Sequence, residues 1–509
     1  MRYLPTGNWM QKADAHTIHE IGIPSLVLME RAALGIVEVI KSKAPKNKKI
    51  LIVCGSGNNG GDGFAIARLL HDENYSVEIA FVGKTESMSD ECKQQYCICK
   101  NIGISIVTEI PAKDYGLIVD AIFGVGLCRE ISGKYASAIE RLNAMEGYKV
   151  AVDIPSGVSS LDGKILGIAF KADLTVSVQC EKLGTVLYPG KDFAGEVVVK
   201  SIGINTELYQ NNTEICYTLE QDDLCTCLPK RVANSHKGTY GKVLMITGSE
   251  GMAGAAYLSA KAAYVSGAGL VQIYTAKENR SILQQLLPEA IISTYTEYSE
   301  EELKQLLNWS DVVCIGCGLG QGKTADKLLQ GVFQFCKVPC IIDADGINLL
   351  SERMELLEKS TFPIALTPHM KEMTRLLKCS IAKLNADRMN ILTDFVKRYP
   401  VVCALKDART LVAKENHSLF VNTAGNNAMA KAGSGDVLAG VITGLTAQHM
   451  NLYDSVVSGV YLHANGGDYA KKSCGVYSVL AEDLISGIKD VRLEDFLGNV
   501  LCSELETTI

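Results

Sequence analysis

The stretch "CGSGNNGGDGF" (Cys54–Phe64) decides how the first half of the chain is read. It follows the apolar run "KKILIVC" (Lys48–Cys54) and leads into "FAIARLLHDEN" (Phe64–Asn74), the order of a strand, a glycine turn and a helix. Gly55-x-Gly57-x-x-Gly60 has the spacing of the dinucleotide-binding fingerprint, and Glu78 falls about where that fingerprint puts its ribose-binding acid. The turn also holds Asn58, Asn59 and Asp62, whose amides and carboxylate suit a hard cation or a polar ligand. A cofactor-holding loop and a glycine turn serving other chemistry both remain open at this point.

Outward from the turn, strand-like and helix-like segments alternate. Apolar runs predict strands near 50–54, 77–82, 117–123, 150–154, 174–178 and 197–202, with helices between several of them. The polar segment "NTELYQNNTEICYTLEQDD" (Asn205–Asp223) has no sustained period and marks a domain junction. The pattern then restarts with "GKVLMITGS", "LVQIYT", "DVVCIGCG", "PCIIDADG", "PIALTPH" and "VVCALKD", and the last 75 residues read as mainly helical. The fold class expected is α/β throughout, as two doubly wound domains spanning 1–215 and 216–509.

Bulk properties narrow the function. A chain of 509 residues is too long for one core, and its 47% hydrophobic and 21% charged composition is that of a globular protein. A net charge of −7 argues against nucleic acid as a partner. No run reaches the ~18 apolar residues of a membrane span, and the polar N-terminal segment lacks a secretory leader's apolar core. Most of the 17 cysteines lie inside apolar runs, which suits reduced, buried thiols and a cytoplasmic location. Cys314-x-x-Cys317 has zinc-like spacing but no second pair, so no structural metal is expected there.

Two further strand ends carry polar equipment: "VDAIFGVG" with Asp120, Gly124 and Gly126, and "VDIPSG" with Asp153 and Ser156. Each alone is explained by turn and capping preferences, whereas three such loops at strand C-termini converge on one crevice. In the second half, "KAGSGDVLAGVITGL" (Lys431–Leu445) leads Gly433, Ser434 and Gly435 into a helix with Asp436 in its first turn. Free helix amides favour developing phosphate charge, and an adjacent aspartate can accept a hydroxyl proton. Helix capping alone would explain the same residues; "CGLG", "DADGIN" and "TPHMKEM", each after an apolar strand, favour a shared cleft.

"MERAALG", "GSGNNGGDGFAIARLL", "VDAIFGVGL" and "VDIPSG" together resemble the NAD(P)H-hydrate epimerase domain over roughly residues 1–205. The resemblance implies a Rossmann-like three-layer sandwich with potassium held by Asn59, Asp120 and Ser156 and Asp153 as acid/base. It implies substrate contacts from Asn58, Asn59, Gly60, Gly61, Asp62 and Asp153, and from Gly124, Val125, Gly126, Leu127, Cys128, Arg129 and Glu130. Some relatives have lysine about where Cys128 or Arg129 stands.

From about residue 225 to 500 the chain resembles the ADP-dependent (S)-NAD(P)H-hydrate dehydratase, a ribokinase-like fold. That resemblance makes Asp436 the catalytic base, with Ala255, Gly318, His369 and Asp436 contacting the hydrate. It assigns the adenosine phosphates to Lys406, Asp407, Ala408, Arg409 and Thr410, and to Asn426, Asn427, Gly433, Ser434 and Gly435. Lys406 is followed by Asp407 where the family usually has glycine. The implied substrates are NADHX and NADPHX, with ADP and Mg2+ for the dehydratase, K+ for the epimerase, and a homo-oligomer as the assembly. A small-alcohol kinase sharing the GxGD turn, and a non-catalytic nucleotide-binding first domain, are the alternative readings.

Overall fold

Alternation of apolar strands with amphipathic helices yields two separate α/β units, Tyr3–Tyr217 and Thr218–Ile509, the latter including Met1–Arg2. The computed structural model describes residues 1–43 and 48–491, so the last stretch of the expected 216–509 domain, 492–509, lies outside the described residues.

In the first unit seven strands form one parallel sheet. They are β1 (Ile50–Cys54), β2 (Val77–Phe81), β3 (Ser105–Val107), β4 (Leu117–Ala121), β5 (Tyr148–Val152), β6 (Leu174–Val178) and β7 (Glu196–Lys200). The order is β3-β2-β1-β4-β5-β6-β7, so the chain reverses direction across the sheet between β1 and β4. One face is covered by α2 (Ser25–Lys43), α3 (Asn58–Asp72) and α4 (Asp90–Asn101), through Ile36, Ile40, Phe64, Ile66 and Cys99. The other is covered by α5 (Gly133–Ala144), through Ile139 and Leu142, with Phe170. This is a doubly wound three-layer sandwich, whose ligands bind at the reversal point beyond the strand C-termini.

The second unit restarts with β8 (Lys242–Ile246), β9 (Leu270–Ala276), β10 (Ile291–Tyr295), β11 (Val312–Ile315), β12 (Cys340–Ile342), β13 (Ile364–Leu366) and β14 (Val401–Leu405). These are parallel, and β15 (Leu411–Ala413) and β16 (Phe420–Val421) add antiparallel neighbours. The order β16-β15-β14-β13-β12-β11-β8-β9-β10 again reverses beside the first strand of the unit. Small residues bring α6 (Ala253–Val265) and α8 (Ser434–Ala447) together: a Cβ on Gly440 would lie 2.1 Å from Ser259 O, and one on Gly444 would lie 2.4 Å from Ala263 O.

The segment 205–223 contains the division between the units, at Tyr217/Thr218, and it also carries the buried Tyr209 and a strand at Cys216–Thr218. One expectation needs correction. Glu78 is not a ribose ligand. It sits near the N-terminal end of β2, buried, accepting hydrogen bonds from Tyr115 Oη (2.7 Å) and Lys113 Nζ (3.2 Å). Strand pairing turned it away from the crevice, which lies at the other end of the sheet.

Candidate active sites

At the β1/β4 reversal, the glycine turn and the loop after β4 enclose a cavity of about 740 Å3. Helix α3 opens with Gly57 as its extended N-cap, so its first amides face this space. Asn58, Asn59, Asp62, Gly124, Val125, Gly126, Leu127, Cys128, Arg129 and Asp153 all line it. Gly60, Gly61 and Glu130 are not among its lining residues. The two glycines are needed for packing instead: a Cβ on Gly60 would meet Gly55 O at 2.0 Å, and one on Gly61 would meet Met29 Cε at 2.7 Å.

Beneath the cavity, Asp120 and Ser156 are fully buried and mutually bonded. Ser156 Oγ donates to Asp120 Oδ1 (2.7 Å), Ser156 N donates to Asp120 Oδ2 (2.8 Å), and Phe123 N donates to Ser156 Oγ (2.8 Å). Burial pushes the Asp120 carboxyl up to about 6, against the hydrogen bonds from Ser156. Asn59 points its side chain at Gly124, where a Cβ would lie 3.3 Å from Asn59 Oδ1, and its buried Nδ2 has no hydrogen-bond partner. The Asp120 carboxylate, which has no cationic partner among the described residues, the Ser156 hydroxyl and the Asn59 carbonyl oxygen are the kind of oxygen donors that fit a hard monovalent cation; the unpartnered Asn59 Nδ2, a donor, is not one of them.

Asp153 adopts a left-handed backbone conformation (φ +69°), uncommon for a residue with a side chain and characteristic of constrained sites. Its Oδ1 accepts from Val178 N (2.9 Å) and from the buried Lys182 ammonium, which also donates to Val178 O (2.6 Å) and Ser177 Oγ (3.2 Å). Burial drives Asp62 well above the ordinary carboxylate range, with repulsion from Asp153 and Asp14 added. Lys182, Asp14, Gln11, Met29 and Tyr135 line the cavity and were missed in the sequence. For Lys182 a signal existed: it stands four residues past a strand end, in the same kind of strand-end loop that carries the other residues of this site.

In the second unit the loops after β8 and β11 meet. Ser249 N and Oγ both donate to Gly318 O (2.6 and 2.9 Å), and a Cβ on Gly318 would lie 2.7 Å from the Ala255 Cβ. Ala255 and Gly318 are therefore brought together. Gly433 forms the turn into α8 with φ +88°, and Asp436 lies in the first turn of that helix. Ligating atoms of Asp436, Asp343 and Cys317 lie within 4.8 Å of one another. Lys406 Nζ donates to Asp343 Oδ1 (2.6 Å), as does Thr367 Oγ1 (2.8 Å). Burial, reinforced by Asp343, raises the Asp436 carboxyl to about 6. Contact with Cys314 and burial push the Cys317 thiol well up.

His369 caps the helix Met370–Leu377: its Nδ1 accepts from Lys371 N (3.1 Å) and Glu372 N (3.2 Å), while its own N donates to Glu372 Oε2 (2.8 Å). Glu372, buried and raised to about 7 by that burial, was not singled out in the sequence; nor was the buried His463, lowered to about 4, whose Nε2 lies 3.4 Å from Ser434 Oγ. Of the expected nucleotide segment, Lys406 turns to the carboxylates and Asp407 pairs with Arg388 (2.7 Å). Ala408 is exposed, Arg409 is half-buried, and Thr410 Oγ1 donates to Asp407 O (3.3 Å). Asn426 is committed to Asp468 (2.7 Å) and Gly467 O (3.0 Å), and Asn427 is exposed. Gly435 comes closest to the cluster, a Cβ there lying 3.3 Å from Lys406 Nζ.

Comparison with known proteins gives matches over both units. The family described as NAD(P)H-hydrate dehydratase matches residues 243–490, and that described as YjeF-related protein N-terminus matches residues 25–184. A bifunctional NAD(P)H-hydrate repair enzyme of Moorella thermoacetica is 34% identical, covering 100% of this chain and 98% of the relative. The enzyme of the same name from Escherichia coli is 33% identical, covering 95% and 92%. Among solved structures, a ribokinase-like superfamily protein from Enterococcus faecalis is 30% identical over 56% of this chain and 97% of its own, with a TM-score of 0.49. The ADP/ATP-dependent NAD(P)H-hydrate dehydratase from Bacillus subtilis, co-crystallised with ATP and Mg2+, is 27% identical over 54% and 97%, with a TM-score of 0.48.

Proposed function

The chain belongs to the bifunctional NAD(P)H-hydrate repair enzymes, and from that premise we propose that each of its two crevices performs one half of the repair. The first unit interconverts the R and S hydrates, and the second dehydrates the S epimer. The observation that carries this reading is the Asp436 carboxyl, raised to about 6 at the mouth of a glycine-led helix.

Water added to reduced nicotinamide leaves a hydroxyl on ring carbon 6, and hydroxide is a poor leaving group. Asp436 accepts the hydroxyl proton as the oxygen attacks the terminal phosphorus of ADP, and AMP departs. The amides at Gly433–Gly435 receive the developing phosphate charge. Phosphate then leaves carbon 6 with the bonding pair, a proton leaves carbon 5, and the ring double bond is restored. Mg2+, entering with the nucleotide, supplies charge neutralisation when bound. Lys406 stands beside Asp343, where it offsets one of two neighbouring carboxylates.

In the first unit Asp153 is the acid/base, held by Lys182 and Val178 N in one orientation. Asn59, Asp120 and Ser156 would hold K+, which supplies positive charge beneath the glycine turn. The hydrate lies against Asn58, Asp62 and the Gly124–Arg129 loop. Free, buried cysteines among the described residues, such as Cys54, Cys99, Cys314 and Cys403, support work in the reducing cytoplasm.

The test is a mixed R/S hydrate assay with ADP and Mg2+, following recovery of reduced-nicotinamide absorbance together with AMP. Asp436→Asn is expected to lower that rate by roughly 10²–10⁴-fold. Normal recovery by this variant would remove the mechanism.

A further inference from the structure

Beside the first cavity lies a second, of about 800 Å3, between the ends of β2 and β3 and helix α5. Its wall is apolar: Phe81, Val82, Ile110 and Ala138 are buried there, and Tyr96 packs against Phe81 with ring centroids 5.9 Å apart. Three cations also line it, Lys84, Lys134 and Arg141. Among the described residues, no carboxylate forms an ion pair with any of the three. Glu86 and Glu109 share the cleft, and Glu86 accepts from Thr85 Oγ1 (2.9 Å).

The two cavities share a thin wall. Ser56 lines the first, and its Oγ accepts from Lys84 N (2.8 Å) and donates to Lys84 O (3.1 Å). Gly83 keeps that wall low, since a Cβ there would lie 2.3 Å from Ser56 Oγ. Lys134 lines the second cavity with its Nζ 5.0 Å from the ring centroid of Tyr135, which lines the first. A dinucleotide is two mononucleotides, and two adjoining cavities of this size offer one lobe to each.

Doubly wound dinucleotide sites read the adenosine ribose at the C-terminal end of the second strand; an acid there selects a free 2′-hydroxyl, and a cation accommodates a 2′-phosphate. Here β2 ends at Phe81 and the chain continues through Val82 and Gly83 to Lys84. The first charged side chain past the strand end is therefore a cation, Lys84, with Glu86 two residues further on, while Glu78 is held at the far end of the strand by Tyr115 and Lys113. We propose that this cleft seats the adenosine 2′-phosphate half of NADPH hydrate during epimerisation, with Lys84 and Arg141 gripping the phosphate and the hydrated ring in the first cavity. The inference rests on the epimerase reading of the first unit and extends it to substrate choice.

The test uses the full chain carrying Lys84→Ala and Arg141→Ala together, neither of which lines the first cavity. Loss of charge-assisted contacts is expected to raise KM for NADPH hydrate roughly tenfold in the R-to-S reaction, with KM for NADH hydrate unchanged within about twofold. Equal effects on both hydrates, or none, would overturn the proposal. Independently of activity, adenosine 2′,5′-bisphosphate is expected to slow acetylation of Lys84 and Lys134 in the wild-type chain, read by mass spectrometry. Unchanged labelling rejects the cleft. A wild-type chain that leaves the R hydrate untouched sinks the epimerase reading instead, while the labelling result still decides whether the cleft takes a 2′-phosphate.

Discussion

At the scale of single residues, one carboxyl sets the behaviour of the second site. The base proposed here, Asp436, must be ionised to act, and burial has moved its titration to about 6. With limiting hydrate, kcat/KM for dehydration should therefore fall about tenfold for each pH unit below 6 and level off above it. The same shift has a stability cost of opposite sign to the usual ion-paired aspartate. A carboxyl raised by folding disfavours the native state above its folded titration point, and the penalty disappears below its unfolded one. Asp436→Asn should accordingly raise Tm at pH 7.5 and leave it unchanged below about pH 4, checked by thermal unfolding at both pH values. In the first unit, Lys182→Met would strand Asp153 beside a buried gap in charge. Removing one partner of a buried pair costs about 3–5 kcal/mol, so this variant should lose R-hydrate consumption and show a lower unfolding midpoint in its first unit. S-hydrate dehydration by the same chain should persist.

Elements decide which residues meet. The parallel strands that were long, apolar and turn-bounded were legible in the sequence, as were the strand-end residues Asp120, Asp153 and Ser156, because all three follow from one periodicity. The short strands Ser105–Val107 and Phe420–Val421 were not singled out, and their place in the sheet is fixed by pairing with neighbours. Lys182 and Glu372 were hidden for a related reason. Each is a charged residue whose partner, Asp153 or the Lys406–Asp343 pair, arrives from a different strand end. Glu78 misled because a count of residues along the chain takes no account of which end of a strand faces the crevice. The close approach of α6 and α8 was present only as composition, in "AGAAYLSAKAAYV" and "GDVLAGVITGL". Gly440→Leu would force a side chain into Ser259 O, and a destabilisation of at least about 1–3 kcal/mol is expected in chemical denaturation. Dehydratase activity should drop with it even under folding conditions, because α8 carries Asp436 about one turn before Gly440.

For the whole molecule, the division at Tyr217/Thr218 separates two chemistries that act on mirror-related hydroxyls. An in-line phosphoryl transfer aligned for one epimer misplaces the other by more than catalysis tolerates. With Asp153→Asn in the full chain, recovery of absorbance from an R/S mixture should stop at the S fraction, and adding wild-type first-unit activity should restart it. Continued recovery to completion would show that Asp153 is not the acid/base. No described helix is long and apolar enough to cross a membrane, so neither site is placed by a helical anchor among those residues. One continuous polypeptide through both units also fixes their dosage. Every ribosome that finishes a dehydratase has already made its epimerase, so the ratio of the two catalysts is one to one at translation and beyond the reach of promoter strength. Any imbalance between supply and use of the S epimer can then be tuned only through turnover numbers, and a stop codon just after residue 217 would leave a producer without its consumer.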